Sequence, residues 1–283
     1  MEIREPERLT PVVGEADVVV VGSGPGGLSA AIAAARAGVS VILIERFGCF
    51  GGNITSVGVE GFAWYRHEKT IEAGGLAFEY EQRAIENNAA VPESQSKSYE
   101  LDSEGFKVVA DNLVLKAGVR PMLHRAFCSP ILEGNEIRGV ITESKAGREA
   151  IMGKIIIDAT GDADVARRSG VTVFKNNKDD MISASVMFHM SGVNKEEFMD
   201  EIKRDPQKYS DWSDKNWQVQ TSGKEDDMFS PFLRKPFEKA KDSGLIDSDL
   251  QTISGTWGAI HDSGELTYLN LVHLNGIDGT DPE

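Results

Sequence analysis

The chain has 283 residues and a mass of 30.8 kDa, with 45 acidic against 30 basic residues, a formal net charge of -15 and a sequence pI near 4.8. This length, with 40% apolar residues, can fill one large α/β domain or two smaller ones without a disulfide or metal staple. The acidic surface repels phosphate backbones and anionic lipid heads, so neither nucleic acid nor a membrane is an expected partner. The first residues, Met1 to Glu15, mix charges and prolines without the apolar stretch of a secretory signal, and no later apolar run reaches the roughly 18 residues of a membrane helix. The expectation is a soluble, cytoplasmic protein. Its two cysteines, Cys49 and Cys128, match no Cys-x-x-Cys spacing, which favours ordinary thiols over a redox or zinc pair.

The first element is the β-branched run Ala16 to Val21, too short for a helix and suited to a parallel strand buried on both faces. Gly22 ends it. Leu28 to Ala37 is alanine-rich and predicts a helix, with Gly38 at its left-handed stop, and Val39 to Ile44 predicts a second buried strand. Strand, glycine turn, helix and strand make the βαβ unit of a doubly wound sheet. Further on, a helix is expected over Leu76 to Glu86, a polar, turn-rich stretch over Val91 to Tyr99, and a helix over Ser103 to Lys116 with Asp102 as N-cap and Gly118 as stop.

Five short strands follow at Arg120 to His124, Arg125 to Leu132, Ile137 to Ser144, Glu149 to Met152 and Lys154 to Ala159, and they read as a β-meander returning to the main sheet. A different texture begins at the alternating strand Met181 to Met190. Asn194 to Glu197 then resembles a helix start, Lys203 to Asp227 a polar surface excursion, and Thr267 to Leu274 another strand.

The sharpest motif is Gly22-Ser23-Gly24-Pro25-Gly26-Gly27, a G-x-G-x-x-G set between a strand and a helix. Gly22 permits the tight turn, Gly24 lets a pyrophosphate approach the backbone, and Gly27 lets helix and strand pack closely. The helix N-terminus supplies free N–H groups and a positive dipole end for the phosphates. Glu45 follows 21 positions after Gly24, at the end of the second strand, where a carboxylate can accept the ribose hydroxyls. On that reading Glu45→Gln weakens cofactor binding and leaves the empty protein's stability alone. Arg46 beside it tempers the exclusion of a 2′-phosphate. These features fit NAD and FAD equally. The segment Phe47 to Thr55 separates them, because Gly51, Gly52, Asn53 and Thr55 place a second glycine pair and two small polar side chains where a flavin's pyrophosphate and ribityl chain would extend.

On Asp17 to Glu45, Gly51 to Thr55, Asp158-Ala159-Thr160-Gly161-Asp162-Ala163-Asp164 and the tail Leu271 to Asp281, the sequence resembles the FAD-dependent oxidoreductases of the glutathione-reductase-like flavoprotein group. The resemblance implies an α/β fold: a Rossmann-like FAD-binding domain with a β-meander, formed by residues 12–66 and 101–178; an insertion at 67–100; and a second, α+β substrate domain at 179–283. It implies FAD as cofactor, held by Gly22, Ser23, Gly24, Pro25, Gly26, Gly27, Glu45, Arg46, Gly51, Gly52, Asn53, Thr55, Gly161 and Asp162. The backbone of Ala126 or Phe127 would lie beside the adenine. Asp162 would bond ribityl or pyrophosphate-linked oxygens, and it can equally cap a helix over Ala163 to Arg168. Members of the family carry further helix and strand segments after the matching tail, so the resemblance also implies a substrate domain that is C-terminally incomplete, and loose flavin binding.

The expected partners are a small-molecule substrate and an electron acceptor or donor, with self-association left open. No metal site is expected, and the catalytic residues are not identified by pattern. His67, His124, His189, His261 and His273 are candidates by chemistry alone, with Trp257 and Met187 as pocket or core residues. Two other readings stand beside the flavoenzyme: a thiazole-synthase-like enzyme that uses NAD as a substrate, and a non-catalytic dinucleotide-binding subunit.

Overall fold

The computed structural model describes residues 3–4, 6–60, 66–67, 71–72, 74–92, 99–182, 184–204, 231–246, 260–274 and 276–280. Along the chain the elements are β1 (Val12–Val21), α1 (Pro25–Arg36), β2 (Val41–Ile44), a π-turn (Asn53–Val57), β3 (Arg66–His67), β4 (Ile71–Glu72), α2 (Leu76–Glu86), β5 (Ala90–Pro92), β6 (Tyr99–Leu101), α3 (Ser103–Lys116), β7 (Arg120–Met122), β8 (Ala126–Glu133), β9 (Glu136–Ser144), β10 (Gly147–Asp158), α4 (Asp164–Arg168), a 3₁₀ turn (Lys178–Asp180), β11 (Ala184–Met190), α5 (Lys195–Arg204), α6 (Pro231–Asp242) and β12 (Leu266–Leu274). They form two compact units, one of Met1–Ser56 with Phe106–Phe174 and one of Val57–Gly105 with Lys175–Glu283.

The first unit is a mixed α/β structure built on a six-stranded sheet in the order β7-β2-β1-β10-β9-β8. β7, β2, β1 and β10 run parallel, with Val18 opposite both Val41 and Ile155, and β8, β9 and the start of β10 form the antiparallel meander. Val18 to Val21 are all buried, as a parallel strand covered on both faces requires. α1 buries Gly27, Leu28, Ala31 and Ile32 along one stripe, and Gly38 closes it with φ 91°. α3 buries Phe106, Val109, Ala110, Leu113 and Val114, the i, i+3, i+4, i+7, i+8 pattern of a core-facing helix. The sheet core gathers Val19, Val21, Ile42, Ile44, Met122, Val140, Ile151 and Val165.

Two expectations change here. The strands predicted at Glu149 to Met152 and Lys154 to Ala159 are one strand, β10, which pairs with β9 through Met152 and with β1 through Asp158. Gly153 does not break it, because the glycine continues the β1 ladder opposite Ala16 and makes room for Val19. The strand predicted at Arg120 to His124 is β7, ends at Met122, and joins the parallel sheet rather than the meander. His124 turns the chain with φ 56° before β8 begins.

In the second unit β11 pairs antiparallel with β12, with irregularities at Val186/Met187 and Phe188/Met190. Phe198, Ile260, Leu266 and Leu269 form one buried apolar cluster there. The helix start expected at Asn194 is present: Asn194 Oδ1 accepts the Glu197 N–H at 3.2 Å, and the Asn194 side-chain amide donates to Glu197 Oε1 at 3.1 Å. Most of the Lys203 to Asp227 excursion, the centre of the Val91 to Tyr99 stretch, and Trp257 lie outside the described residues.

Candidate functional site: a glycine cradle in the first unit

β1 ends at Gly22, whose N–H donates to the Ile44 carbonyl at 2.9 Å and whose φ of 96° requires glycine. A Cβ on Gly22 would lie 2.3 Å from the Ala159 carbonyl oxygen, and one on Gly27 would lie 2.0 Å from that of Gly22. These two glycines are therefore demanded by the fold itself. Gly24 is different. Its backbone (φ -59°, ψ 177°) suits any residue, and a Cβ there would have nothing within 4 Å, as at Gly26. The missing side chain at Gly24 leaves an open cradle at the N-terminus of α1. Pro25 starts that helix, no side chain caps it and no acidic residue stands in its first turn, so the N–H groups of Gly26 and Gly27 are left for a ligand anion.

The Phe47 to Thr55 segment folds onto this cradle. Gly51 donates its N–H to the Ser23 carbonyl at 2.9 Å, and a Cβ on Gly52 (φ 53°) would lie 2.7 Å from Gly24 Cα. The two glycine pairs that the sequence suggested thus meet in space. Asn53 is exposed at the start of the π-turn. Thr55 is buried and donates its hydroxyl to the Phe50 carbonyl at 2.6 Å, so its first task is to shape the loop. The Cys49 sulfur lies 3.9 Å from Thr55 Oγ1 and 3.7 Å from Ser56 Oγ, and both cysteines are free thiols.

Glu45 is buried to 5% exposure beside the turn. Its Oε2 accepts the Ser23 N–H at 2.9 Å and the Ser23 hydroxyl at 2.6 Å, and its Oε1 accepts the Phe47 N–H at 2.9 Å. A carboxylate offers about four acceptor positions, so three are committed to the chain and about one remains for a ribose hydroxyl. This corrects the expectation that Glu45→Gln spares the empty protein: Glu45 is a structural tie between turn and loop. Arg46 is exposed, its guanidinium 4.7 Å over the Phe47 ring.

The backbone beyond Glu45 defines one more wall. The Arg125 N–H donates to the Glu45 carbonyl at 2.9 Å, and the His124 N–H donates to the Phe47 carbonyl at 3.1 Å. The segment His124 to Phe127 therefore runs alongside Glu45, and Phe127 is half-buried against the sheet core.

At the end of β10 the cap is not the one expected. Asp162 is exposed, and α4 begins at Asp164 after Ala163, which is left-handed (φ 55°) and provides no side-chain cap. Asp158 and Thr160 do the capping: Asp158 Oδ2 accepts the Ala166 N–H at 2.9 Å, and Thr160 Oγ1 accepts that of Asp164 at 2.9 Å. Asp158 Oδ1 also takes the Thr160 hydroxyl at 2.7 Å. Asp162 is relieved of a helix role, and Gly161 (φ 88°) carries it out to the surface.

In the second unit His189 faces two carboxylates, with Nε2 3.9 Å from Glu60 Oε1 and Nδ1 3.8 Å from Glu265 Oε1. Glu60 is buried to 2% exposure; its Oε1 accepts the Ser103 N–H at 3.2 Å, and its Oε2 has no hydrogen-bond partner among the described residues. The sequence reading missed Glu60, and the only local sign of it is Gly58, where a Cβ would press on the His189 ring at 3.0 Å. Met187 is half-buried on β11 and His261 half-buried before β12, while the side chains of His67 and His273 lie outside the described residues. Burial raises the Tyr268 phenol above its ordinary value of 10.0. Among the described residues no cluster of three or more His, Cys, Asp or Glu could hold a metal ion. No described helix is long and apolar enough to cross a membrane.

The family of FAD dependent oxidoreductases matches the chain over residues 17–270. Thiamine thiazole synthases are similar over a shorter stretch. That of Saccharolobus islandicus (strain L.S.2.15 / Lassen #1) is 33% identical over 162 residues, 53% of this chain and 57% of the relative, and that of Sulfolobus acidocaldarius is 31% identical over the same shares. The match spans a little over half the length of these relatives. Among solved structures, a geranylgeranyl bacteriochlorophyll reductase-like protein from Thermoplasma acidophilum has a TM-score of 0.48 at 21% identity, covering 64% of this chain and 48% of that one. Thermovibrio ammonificans THI4 has a TM-score of 0.42 at 22% identity, covering 56% and 64%.

Proposed function

The chain belongs to the FAD-dependent oxidoreductase family, and from that premise we propose that it is a flavoenzyme of the glutathione-reductase-like group whose first unit holds the ADP half of FAD. The observation that carries this reading is the Gly24 cradle. Its glycine is not required by the protein's own packing or backbone, so the space it leaves is explained by a ligand. The donor set fits the group: uncapped N–H groups of α1 for the pyrophosphate, the remaining acceptor position of Glu45 for the ribose, and the His124 to Phe127 backbone for the base. Gly51, Gly52, Asn53, Gly161 and Asp162 are proposed to line the path towards the ribityl chain. When bound, the flavin supplies the hydride or electron transfer, and the residues above bind and orient it.

The substrate is a small molecule taken up by residues 179–283, with a separate electron acceptor or donor. The protein works in the cytoplasm without nucleic acid or membrane, and self-association is compatible with this reading. The nucleotide released on denaturing the purified protein, together with its visible spectrum, tests the proposal. FAD and flavin absorption bands are the expected result. The similarity to thiamine thiazole synthases favours a second reading, an NAD-using enzyme of that kind. Release of NAD or an NAD-derived adduct without flavin would establish it. Failure to bind or reconstitute with any dinucleotide would remove both.

A further inference from the structure

The meander strand β8 carries an irregularity next to the wall that faces Glu45. Phe127 pairs with Thr142 and Ser129 pairs with Ile141, so Cys128 is an extra residue, a β-bulge. A bulge leaves one residue outside the ladder and re-aims its neighbours. The Cys128 carbonyl accepts a hydrogen bond from the Arg168 guanidinium, and the same guanidinium lies over the Phe127 ring, 5.6 Å from its centroid. Arg168 stands in the last turn of α4, the helix whose first turn is fixed by Asp158 and Thr160. One side chain therefore joins the bulge to the end of β10.

Glu45 sets where this matters. A ribose held by Glu45, with its phosphates at Gly24, must send its base away from the cradle. The backbone beside Glu45 on that course is His124 to Phe127, tied to it by the Arg125 N–H. We infer that Arg168 is a positioning residue that holds the Cys128 bulge and so fixes the Ala126–Phe127 backbone for recognition of a purine base edge. This rests on the dinucleotide reading above. A planar, charged, stacking side chain suits the task, since it must make an in-plane hydrogen bond and cover a ring at once, and a lysine can do only part of this. Backbone N–H and C=O groups can distinguish adenine from hypoxanthine, whose six-position exchanges a donor for an acceptor, provided the strand is held in place.

The test is titration of the full chain with ADP and with IDP, for wild type, Arg168→Met and Arg168→Lys, alongside thermal melting of each without ligand. Wild type should prefer ADP. Arg168→Met should lose about tenfold of that preference, which corresponds to about 1.4 kcal/mol. Arg168→Lys should lose less, and melting should be close to wild type in both. A merely structural arginine would lower melting without changing the ratio of ADP to IDP affinities. An unchanged ratio in Arg168→Met, with wild type binding ADP, would overturn the inference and leave the dinucleotide reading intact. Failure of wild type to bind ADP or FAD at all would overturn both.

Discussion

Two buried glutamates, one in each unit, are treated differently by the fold. Glu45 has both oxygens engaged, Oε2 by the N–H and hydroxyl of Ser23, 22 positions before it on the glycine turn, and Oε1 by the Phe47 N–H two positions on. Glu60 is buried as deeply, yet among the described residues only one of its oxygens is engaged, by Ser103, a residue 43 positions away at the start of α3. Burying a carboxylate is costly unless its lone pairs find donors. Glu45 is thus a finished part of a local scaffold that presents one acceptor position outward. Glu60 gains compensation from the positive end of a helix, while its Oε2 has no hydrogen-bond partner among the described residues. The lesson is that burial alone does not separate structural from functional carboxylates; the count of donors does.

The largest effect that can sharpen this contrast comes from the cradle that Glu45 braces. Gly24→Val should weaken FAD binding by on the order of a hundredfold, about 2.7 kcal/mol, while the ligand-free protein unfolds as before, because a Cβ at this position meets nothing within 4 Å. A variant that binds FAD normally would place the ligand elsewhere. Glu45→Gln comes next. Exchanging an acceptor-only group for an amide sets a donor against Ser23 or Phe47 and should cost about 2 kcal/mol of stability in urea unfolding, with weaker FAD binding in addition.

Glu60→Gln should do much less in the same unfolding assay, within about 1 kcal/mol of wild type, because the Ser103 bond can be kept by the amide oxygen while a poorly compensated charge is removed. A loss matching that of Glu45→Gln would show that Glu60 is a structural tie of the same kind. The smallest effect is expected at the half-buried Asp17, held well below the usual carboxylate range by hydrogen bonds from Lys154 and Ser40. A depressed folded-state pKa means stability that is present above the ordinary carboxylate pKa and is lost as the pH falls through the lower folded value. Asp17→Asn should therefore differ most from wild type near neutral pH, and the gap should close on acidification.

What could be read in the sequence was what short-range geometry decides. The valine run of β1, the glycine turn and the alanine-rich α1 share one period change, and Glu45 stands where a two-strand βαβ unit must put it. The meander was legible as a set of β-branched runs, although its glycines suggested a break at Gly153 that strand pairing overrides. An acid before an alanine makes Asp162 one possible helix cap in the sequence, whereas the turn geometry gives the task to Asp158 and Thr160. The Cys128 bulge, its Arg168 partner and the approach of Glu60 to His189 depend on pairings between distant segments, for which no local pattern exists.

On the proposed reading the first unit grips the ADP half of FAD through Gly24, Glu45 and the neighbouring backbone. Calorimetric titration of the flavin-free protein with FAD, FMN and ADP tests it most directly, since FMN carries the flavin and one phosphate but lacks the adenosine. FAD should bind with one-to-one stoichiometry, ADP should compete with it, and FMN should bind far more weakly than either. FMN binding as tightly as FAD, or ADP failing to displace FAD, would contradict it.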